Sequence, residues 1–592
     1  MQSPPAPPIG LIEAVRRTPR EPLVWLALAR WIADHIGPKA AAEQLERVLT
    51  QVTDPDPLLR FIAERLASTP AAPARLRALN RLAARRPDDV TTLIELGAAL
   101  AQTAAAPVAI KPLQAAVRLG CRRPDVLALL ASLELLQGAH DDAAAHFEAL
   151  LEQQPDHPGA WAGKYKIAQN RWQWDQVATY AERARQACAA SRDLQHVPIH
   201  ILLTLYGNDP PALLPGQVRK PKITPPRRRH GGRLRLGYLS SDLRTHAVGI
   251  LIAGLFEAHD PNRVELFLYN YGPRNEDPYR RRMQQATANW RDLNDLSNVE
   301  AAQRIAADGV EVLIELTGHT AGSRAEITSM RPAPVQIHYL GHAGSLAMPG
   351  IDYYLADAET VPPEGEAEFA EQVLRLPRCF MVTDDRRALP RPIERSAVGL
   401  PEDAIVLINY NQPWKWSVEY VDVWLRALAR HPRAVLWARA PSAEALARLI
   451  ERARQQGVPA AEERILTLDY APDAQSHLDR IALADLALDQ LPYSSHSIGA
   501  ELLWAGVPLL TQRGMRFAGR VGASLVKAAG LSDFVTDSIE AYAHRLDQLL
   551  SEPEALARAR QHLTENRSSL PLFDTKGFAR DLEDLLFALF ER

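Results

Sequence analysis

The chain has 592 residues, several times the usual domain of about 100–200 residues, so three or more folding units are expected. Its 68 basic and 71 acidic residues leave a formal net charge of -3, which excludes a global field for nucleic acid or an anionic membrane. The three cysteines, Cys121, Cys188 and Cys379, stand far apart and outside any CxxC spacing, so neither a disulfide framework nor a zinc site is expected and a reducing cytoplasm fits.

The first 18 residues begin proline-rich, with no basic-then-apolar signal pattern, and read as a flexible N-terminus. No apolar run approaches the ~20 residues of a membrane span, so a cytoplasmic protein with no membrane partner is expected. Residues 19–205 are rich in Ala, Leu, Arg and Glu at helical spacing. Pro87-Asp88-Asp89 leads into Leu93, Leu96 and Ala99; Pro124-Asp125 into Leu129, Leu133 and Leu136; Pro155-Asp156 into Trp161, Tyr165 and Ala168. These breakers match the roughly 34-residue tetratricopeptide unit, in which helix pairs bury their apolar faces only by stacking. A stacked superhelix offers a groove for a protein acceptor and a surface for self-association. Trp161, Trp172 and Trp174 read as repeat core or groove wall.

Residues 206–232 carry prolines and a basic cluster, Arg219, Lys220, Lys222, Arg227, Arg228 and Arg229, and read as a tether rather than a nucleic-acid site. Short β-type runs then alternate with helical patterns: 234–239, 265–271, 310–316, 335–339 and 353–356, then 404–409, 434–438, 465–467, 486–488 and 508–511. Two Rossmann-like lobes of parallel sheet follow, over 233–395 and 396–570, with a C-terminal helix over 571–592. The fold class is therefore α + α/β, an α-helical superhelix followed by two Rossmann-like lobes with a crevice between them.

In parallel sheets the chemistry sits in loops beyond the carboxyl ends of the strands. Five such loops are 240–246, 317–322, 341–345, 409–415 and 494–501. The last one, Ser494-Ser495-His496-Ser497-Ile498-Gly499-Ala500-Glu501, opens a helix whose free amides suit a pyrophosphate. Gln412 and Lys415, in the same lobe, supply an amide and a point charge to those phosphates. No Walker-type GxxxxGK[ST] is present, which disfavours ATP hydrolysis. Asp54-Pro55-Asp56, an Asp-x-Asp spacing, lies in the helical region far upstream, so lysine and a helix N-terminus replace a metal and no metal or other cofactor is expected.

These loops, in this order after helical repeats, resemble the O-GlcNAc transferase and SPINDLY-like family of GT-B glycosyltransferases. The likeness covers about 234–592 and is carried by LRLGYLSSDLRTHAVG, LTGHTAGSR, RPAPVQIHYLGHAGS, INYNQPWKW, HLDRIALADLALDQLPYSSHSIGAELLWAGVPLLT and SLPLFDTKGF. The resemblance implies a GT-B catalytic region in which Lys415 neutralises the diphosphate with Gln412 beside it. His496, Ser497 and Ile498 lie at the phosphates, Glu501 at the ribose, and His477 and Arg480 at the base. The loop with Gly341, His342, Gly344 and Ser345 lines the sugar pocket, and His246 lies near the reacting centre. The lysine that the family places shortly before His477 is replaced within Asp473-Ala474-Gln475-Ser476.

The expected activity is inverting, metal-independent transfer of a sugar, GlcNAc from UDP-GlcNAc, to Ser or Thr of a protein held by the repeats. The acceptor proton passes to His246, to Glu315 at the end of its strand, or through water to phosphate. His246 has capping a helix as its other reading, Glu315 a buried hydrogen-bonding role, and Lys415 a place over aromatic rings. Another donor (fucose, rhamnose, a nonulosonic acid), a non-protein acceptor, or a non-catalytic repeat scaffold are the alternatives.

Overall fold

The computed structural model describes residues 6–67, 73–103, 106–190, 232–274, 276–320, 322–467 and 471–591. Apart from Gly232, the expected basic tether lies outside the described residues. The chain divides into two compact units, one of Met1–Ile167 with Thr179–Ser191 and the other of Ala168–Ala178 with Arg192–Arg592.

The first unit is helical: α1 (Ile9–Arg17), α2 (Pro22–His35), α3 (Pro38–Glu46), α4 (Asp56–Arg65), α5 (Pro73–Arg85), α6 (Val90–Ala101), α7 (Ile110–Arg118), α8 (Pro124–Leu136), α9 (His140–Gln153) and most of α10 (Pro158–Asn170) and α11 (Trp174–Ala190), whose residues 168–170 and 174–178 belong to the second unit. The α1 helix falls where a flexible N-terminus is expected; Leu11 and Val15 pack on the first repeat cluster. Local chemistry sets the boundaries. Asp89 caps α6 by accepting the amides of Thr91 and Thr92, and Pro124 starts α8 where its missing N–H is harmless. Between α8 and α9, Gly138 at φ 76° takes the left-handed turn that ends the first helix. Small residues let the helices approach: a Cβ on Gly163 of α10 would lie 2.2 Å from the Phe147 ring of α9. Asp56 pairs with Arg85 and Arg86, so the Asp-x-Asp spacing serves repeat packing.

The second unit is built on two all-parallel sheets. The first contains β1 (Leu234–Ser240), β2 (Val264–Asn270), β3 (Asn289–Asp292), β4 (Val312–Glu315), β5 (Val335–His338), β6 (Tyr353–Asp357) and β7 (Gln372–Leu376), in the order β3-β2-β1-β4-β5-β6-β7. The second contains β8 (Ile405–Asn409), β9 (Ala434–Ala438), β10 (Ile465–Thr467), β11 (Leu486–Leu488), β12 (Leu509–Gln512) and β13 (Val535–Thr536), in the order β10-β9-β8-β11-β12-β13. Central strands such as β8, Ile-Val-Leu-Ile-Asn, are buried throughout, as expected where helices cover both faces.

The strand order reverses between β1 and β4 in one sheet and between β8 and β11 in the other. Ligands of open α/β sheets bind at these switch points, outside the carboxyl ends of the strands. One apolar cluster joins both sheets, and it includes Trp172. Trp172 and Trp174 thus belong to the second unit rather than to the repeat core or a groove wall. The last helix, Thr575–Glu591, returns to the first sheet's side. Its buried Glu583 accepts from His259 Nδ1 at 3.0 Å and the Asp260 amide at 3.0 Å, and pairs with Arg263 at 3.2 Å.

Candidate active site

The switch point of the second sheet is built by two loops that hydrogen bonds tie together. Asn409, ending β8, donates to Gln490 at 2.6 Å, and Asn411 donates to Ser495 Oγ at 2.7 Å. Beneath them Asp489, fully buried just past β11, accepts from the Ser495 amide at 2.7 Å, its hydroxyl at 2.9 Å and Thr511 Oγ1 at 2.7 Å. Burial pushes the Asp489 carboxyl above the usual range, with the Thr511 and Ser495 bonds pulling the other way. Gly522 is required beside it, because a Cβ there would lie 2.4 Å from Asp489 Oδ2.

On this scaffold the 3₁₀ turn Pro413–Lys415 projects Lys415 across to the other loop, where Nζ donates to the Ser494 carbonyl at 3.1 Å. Its ammonium lies 3.9 Å from the Tyr493 ring centroid and 5.6 Å from that of Trp414. Burial brings its pKa down to about 7, against the pull of Asp489. The ammonium is therefore under-solvated, and an anion arriving beside it would favour its charged form. Gln412 stays exposed at the head of the turn.

The helix Ser497–Trp504 begins three residues after Ser494, and no side chain caps it. Among the described residues the amides of Ser497, Ile498 and Gly499 have no hydrogen-bond partner, so they form an uncapped positive terminus next to Lys415. The His496 side chain is held from within the lobe. Its Nε2 donates to the Ala518 carbonyl at 2.9 Å, and its ring stacks on Tyr493 at 4.5 Å. Burial, then the nearby Lys415, holds the ring's pKa well below its ordinary value. A neutral ring anchored this way anchors the helix start, leaving anion contact to backbone amides.

One turn along, Glu501 receives Arg387 Nη2 at 2.9 Å and lies 3.4 Å from His477 Nε2. Burial raises the Glu501 carboxyl, but His477 and Arg387 more than offset it, so it sits below its usual range. The His477 ring lies 4.7 Å from that of Tyr410, tilted by 40°, and Arg480 is half-buried one helical turn beyond. Arg387, with its side chain only 9% exposed, escaped the sequence reading. It follows an ordinary Asp-Asp-Arg run between the lobes, and no local pattern marks its partner 114 residues away.

In the first sheet the loop with Gly341, His342, Gly344 and Ser345 is held from below. Tyr354 OH donates to the His342 carbonyl at 3.0 Å and accepts from the Gly344 amide at 3.1 Å; Ser345 donates to Glu371 at 2.7 Å. Gly341 passes so close to Leu316 that a Cβ would lie 1.9 Å from its carbonyl oxygen. His342 is buried with Nε2 unpartnered, and burial, then His319 and His338, keeps its pKa far below the ordinary value. Tyr354 also meets Phe517 edge-on at 5.2 Å, the neighbour of the Ala518 whose carbonyl anchors His496 and Ser494. The 341–345 loop and the helix start at Ser497 are thereby joined across the crevice.

Glu315, a candidate base, is enclosed by partners. Its oxygens accept the Thr317 amide at 2.8 Å, the Gly318 amide at 2.9 and 3.0 Å, and His338 Nδ1 at 2.8 Å, and the residue is 4% exposed. It shapes the 317–322 loop and has no free lone pair toward the crevice. His246 caps the helix Ala247–Ala258, accepting the Val248 amide on Nδ1 at 3.3 Å, with Asp242 Oδ1 at 3.7 Å. Burial, with a smaller contribution from Arg244, lowers its pKa against the opposing effect of Asp242. In this neutral form Nε2 carries the proton. Taking up a proton at Nε2 requires the other tautomer, in which Nδ1 carries the hydrogen, gives up the Val248 amide and donates toward Asp242. Its partner Val248 and its neighbour Asp242 both belong to the first lobe.

The site therefore lies between two parallel-sheet lobes, with a cationic, amide-lined switch point in one and a glycine loop in the other. The model of glycosyl transferase family 41 matches residues 218–398 and 393–582. The chain is 33% identical over 377 residues to a probable UDP-N-acetylglucosamine–peptide N-acetylglucosaminyltransferase, SEC, of Arabidopsis thaliana, covering 62% of this chain and 38% of that protein. A SPINDLY protein of Solanum lycopersicum is 28% identical over 364 residues, with 60% of this chain and 39% of the relative covered. The chain thus spans about two fifths of the length of these curated relatives. A variant of Thermobaculum terrenum O-GlcNAc transferase superposes with a TM-score of 0.64 at 26% identity, covering 91% of this chain and 98% of that one. The chain belongs to glycosyl transferase family 41.

Proposed function

We propose that the chain transfers GlcNAc from UDP-GlcNAc to a Ser or Thr hydroxyl of a protein bound by the helical repeats, with inversion and without a metal, in the cytoplasm. The observation that carries this reading is the convergence of Lys415 with the uncapped helix start at Ser497–Gly499. The activities named for the relatives support the choice of donor and acceptor.

The acceptor oxygen attacks the anomeric carbon as the bond to the diphosphate breaks, so negative charge grows on the leaving oxygens. Lys415 and the free amides lie ready at that position, and preorganised donors stabilise the transition state without reorganising. Arg387 and His477 fix the Glu501 carboxylate to meet the ribose hydroxyls, and the Tyr410–His477 pair meets the base. The acceptor proton leaves through His246, once its Nδ1–H faces Asp242, or through water to phosphate.

The test is Lys415→Ala, assayed for UDP-GlcNAc hydrolysis and transfer to peptide. The expected loss in kcat is on the order of a hundredfold, the typical cost of removing one transition-state donor. Near-normal turnover would remove the central assignment.

A further inference from the structure

We propose that Trp172 is a positioning residue for Lys415: its indole locks the Pro413–Lys415 turn that aims the ammonium at the start of the helix Ser497–Trp504. The inference rests on the donor-binding reading only for its effect on turnover; the geometry stands by itself.

A three-residue 3₁₀ turn has too few hydrogen bonds to fix its own shape. Here the turn closes by the Lys415 amide on the Gln412 carbonyl at 2.9 Å and the Trp416 amide on the Pro413 carbonyl at 3.1 Å. Trp172 supplies what is missing. Its Nε1 donates to the same Pro413 carbonyl at 3.0 Å, and its ring stacks on Trp416 with centroids 4.5 Å apart and planes 26° apart. Trp424 meets the Trp416 ring edge-on at 5.2 Å, and Trp174 Nε1 donates to the Trp416 carbonyl at 3.4 Å. The residues that open and follow the turn are thus both held by the segment between α10 and α11, with Lys415 between them.

That segment is itself anchored. Arg448 donates to the Arg171 carbonyl at 2.9 Å, and Arg452, bound to Asp422 at 2.6 and 2.7 Å, lies 5.8 Å from the Trp174 ring centroid. Trp172 is 1% exposed and has a φ of 53°, left-handed backbone that a bulky residue rarely adopts. Such a conformation persists only where surrounding contacts outweigh its cost, which directs attention to what the contacts hold. The groups facing Lys415 are the Ser494 carbonyl, Asp489, His496 and the rings of Tyr493 and Trp414. Loosening the turn draws the ammonium out of this shell into water.

The experiment uses the full chain as wild type, Trp172→Phe and Trp172→Ala. The acylation rate of Lys415 is followed against pH by peptide mass spectrometry, alongside UDP-GlcNAc turnover. The wild-type midpoint is expected near 7. In both variants it should rise by about one pH unit or more toward that of an ordinary lysine. The kcat should fall about tenfold or more, with a smaller change in KM, because a misplaced group loses most in the transition state. Trp172→Phe keeps a ring and loses the N–H, so it decides the matter if the alanine variant fails to fold. An unchanged Lys415 profile in a folded variant overturns the proposal, whatever happens to turnover. A shifted profile in a chain that turns over no UDP-GlcNAc upholds the positioning and overturns the donor assignment instead.

Discussion

Donor affinity should fall as pH rises through neutrality, and Lys415 alone should set the slope. In the free protein burial brings this ammonium to a pKa of about 7. A bound diphosphate supplies the opposite charge and restores the pKa toward the lysine range of about 10. Binding therefore takes up a proton between those two values, and affinity declines tenfold per pH unit within that window. Between about pH 7 and pH 9 the donor Kd should rise about fiftyfold, on the order of 2 kcal/mol. Titration calorimetry with UDP-GlcNAc, in buffers of different ionisation enthalpy, reads the affinity and the proton uptake together. Lys415→Met should bind weakly with a flat profile, and Lys415→Arg should be flat because guanidinium stays charged. A flat wild-type curve, or a slope that survives in Lys415→Met, would refute the reasoning. The same shift bears on stability with the opposite sense. The unfolded chain holds the Lys415 proton more tightly than the folded one, so this residue's destabilising effect is full below pH 7 and is relieved as pH climbs toward 10.

Arg387→Ala should weaken donor binding about tenfold in the wild type and far less in a Glu501→Ala background; additive effects in that double-mutant cycle would separate the pair. Glu583→Ala leaves His259 and Arg263 without their buried carboxylate, and should destabilise the catalytic unit by about 3 kcal/mol in thermal or urea unfolding. A change of less than about 1 kcal/mol would show that the last helix is not held by that residue. Gly163→Ala pushes a methyl against the Phe147 ring, so despite the better helix propensity of alanine it should destabilise the repeat unit by about 1–3 kcal/mol; a stabilised variant would contradict the close packing.

The loops of the candidate site were legible in the sequence, because parallel-sheet proteins place their loops of interest after strand ends and the strands announce themselves. The apolar runs of β8 and β11 located the loops at 409–415 and 494–501, and the first of those loops carries its lysine to the second. The strands that escaped, β3, β7 and β13, all lie at sheet edges, where a strand has one pairing partner and needs no continuous apolar run. The α1 helix escaped because prolines crowd the residues just before it.

Residue types along the chain determined the helical repeats, the two parallel lobes and the loops in which phosphate chemistry would sit, since periodicity and strand-end position are local properties. Tertiary structure decided which side chains are free to act. Glu315 is saturated by Thr317, Gly318 and His338, His496 is tied to Ala518, Glu501 is held by Arg387 and His477, and Trp172 packs on the lysine turn of its own unit. Each of those outcomes depends on a partner brought near by folding rather than by sequence alone. Hydrogen-bond saturation and desolvation are set by three-dimensional neighbours, so the same residue type reads as a base, a buttress or a charge only once the chain has closed around it.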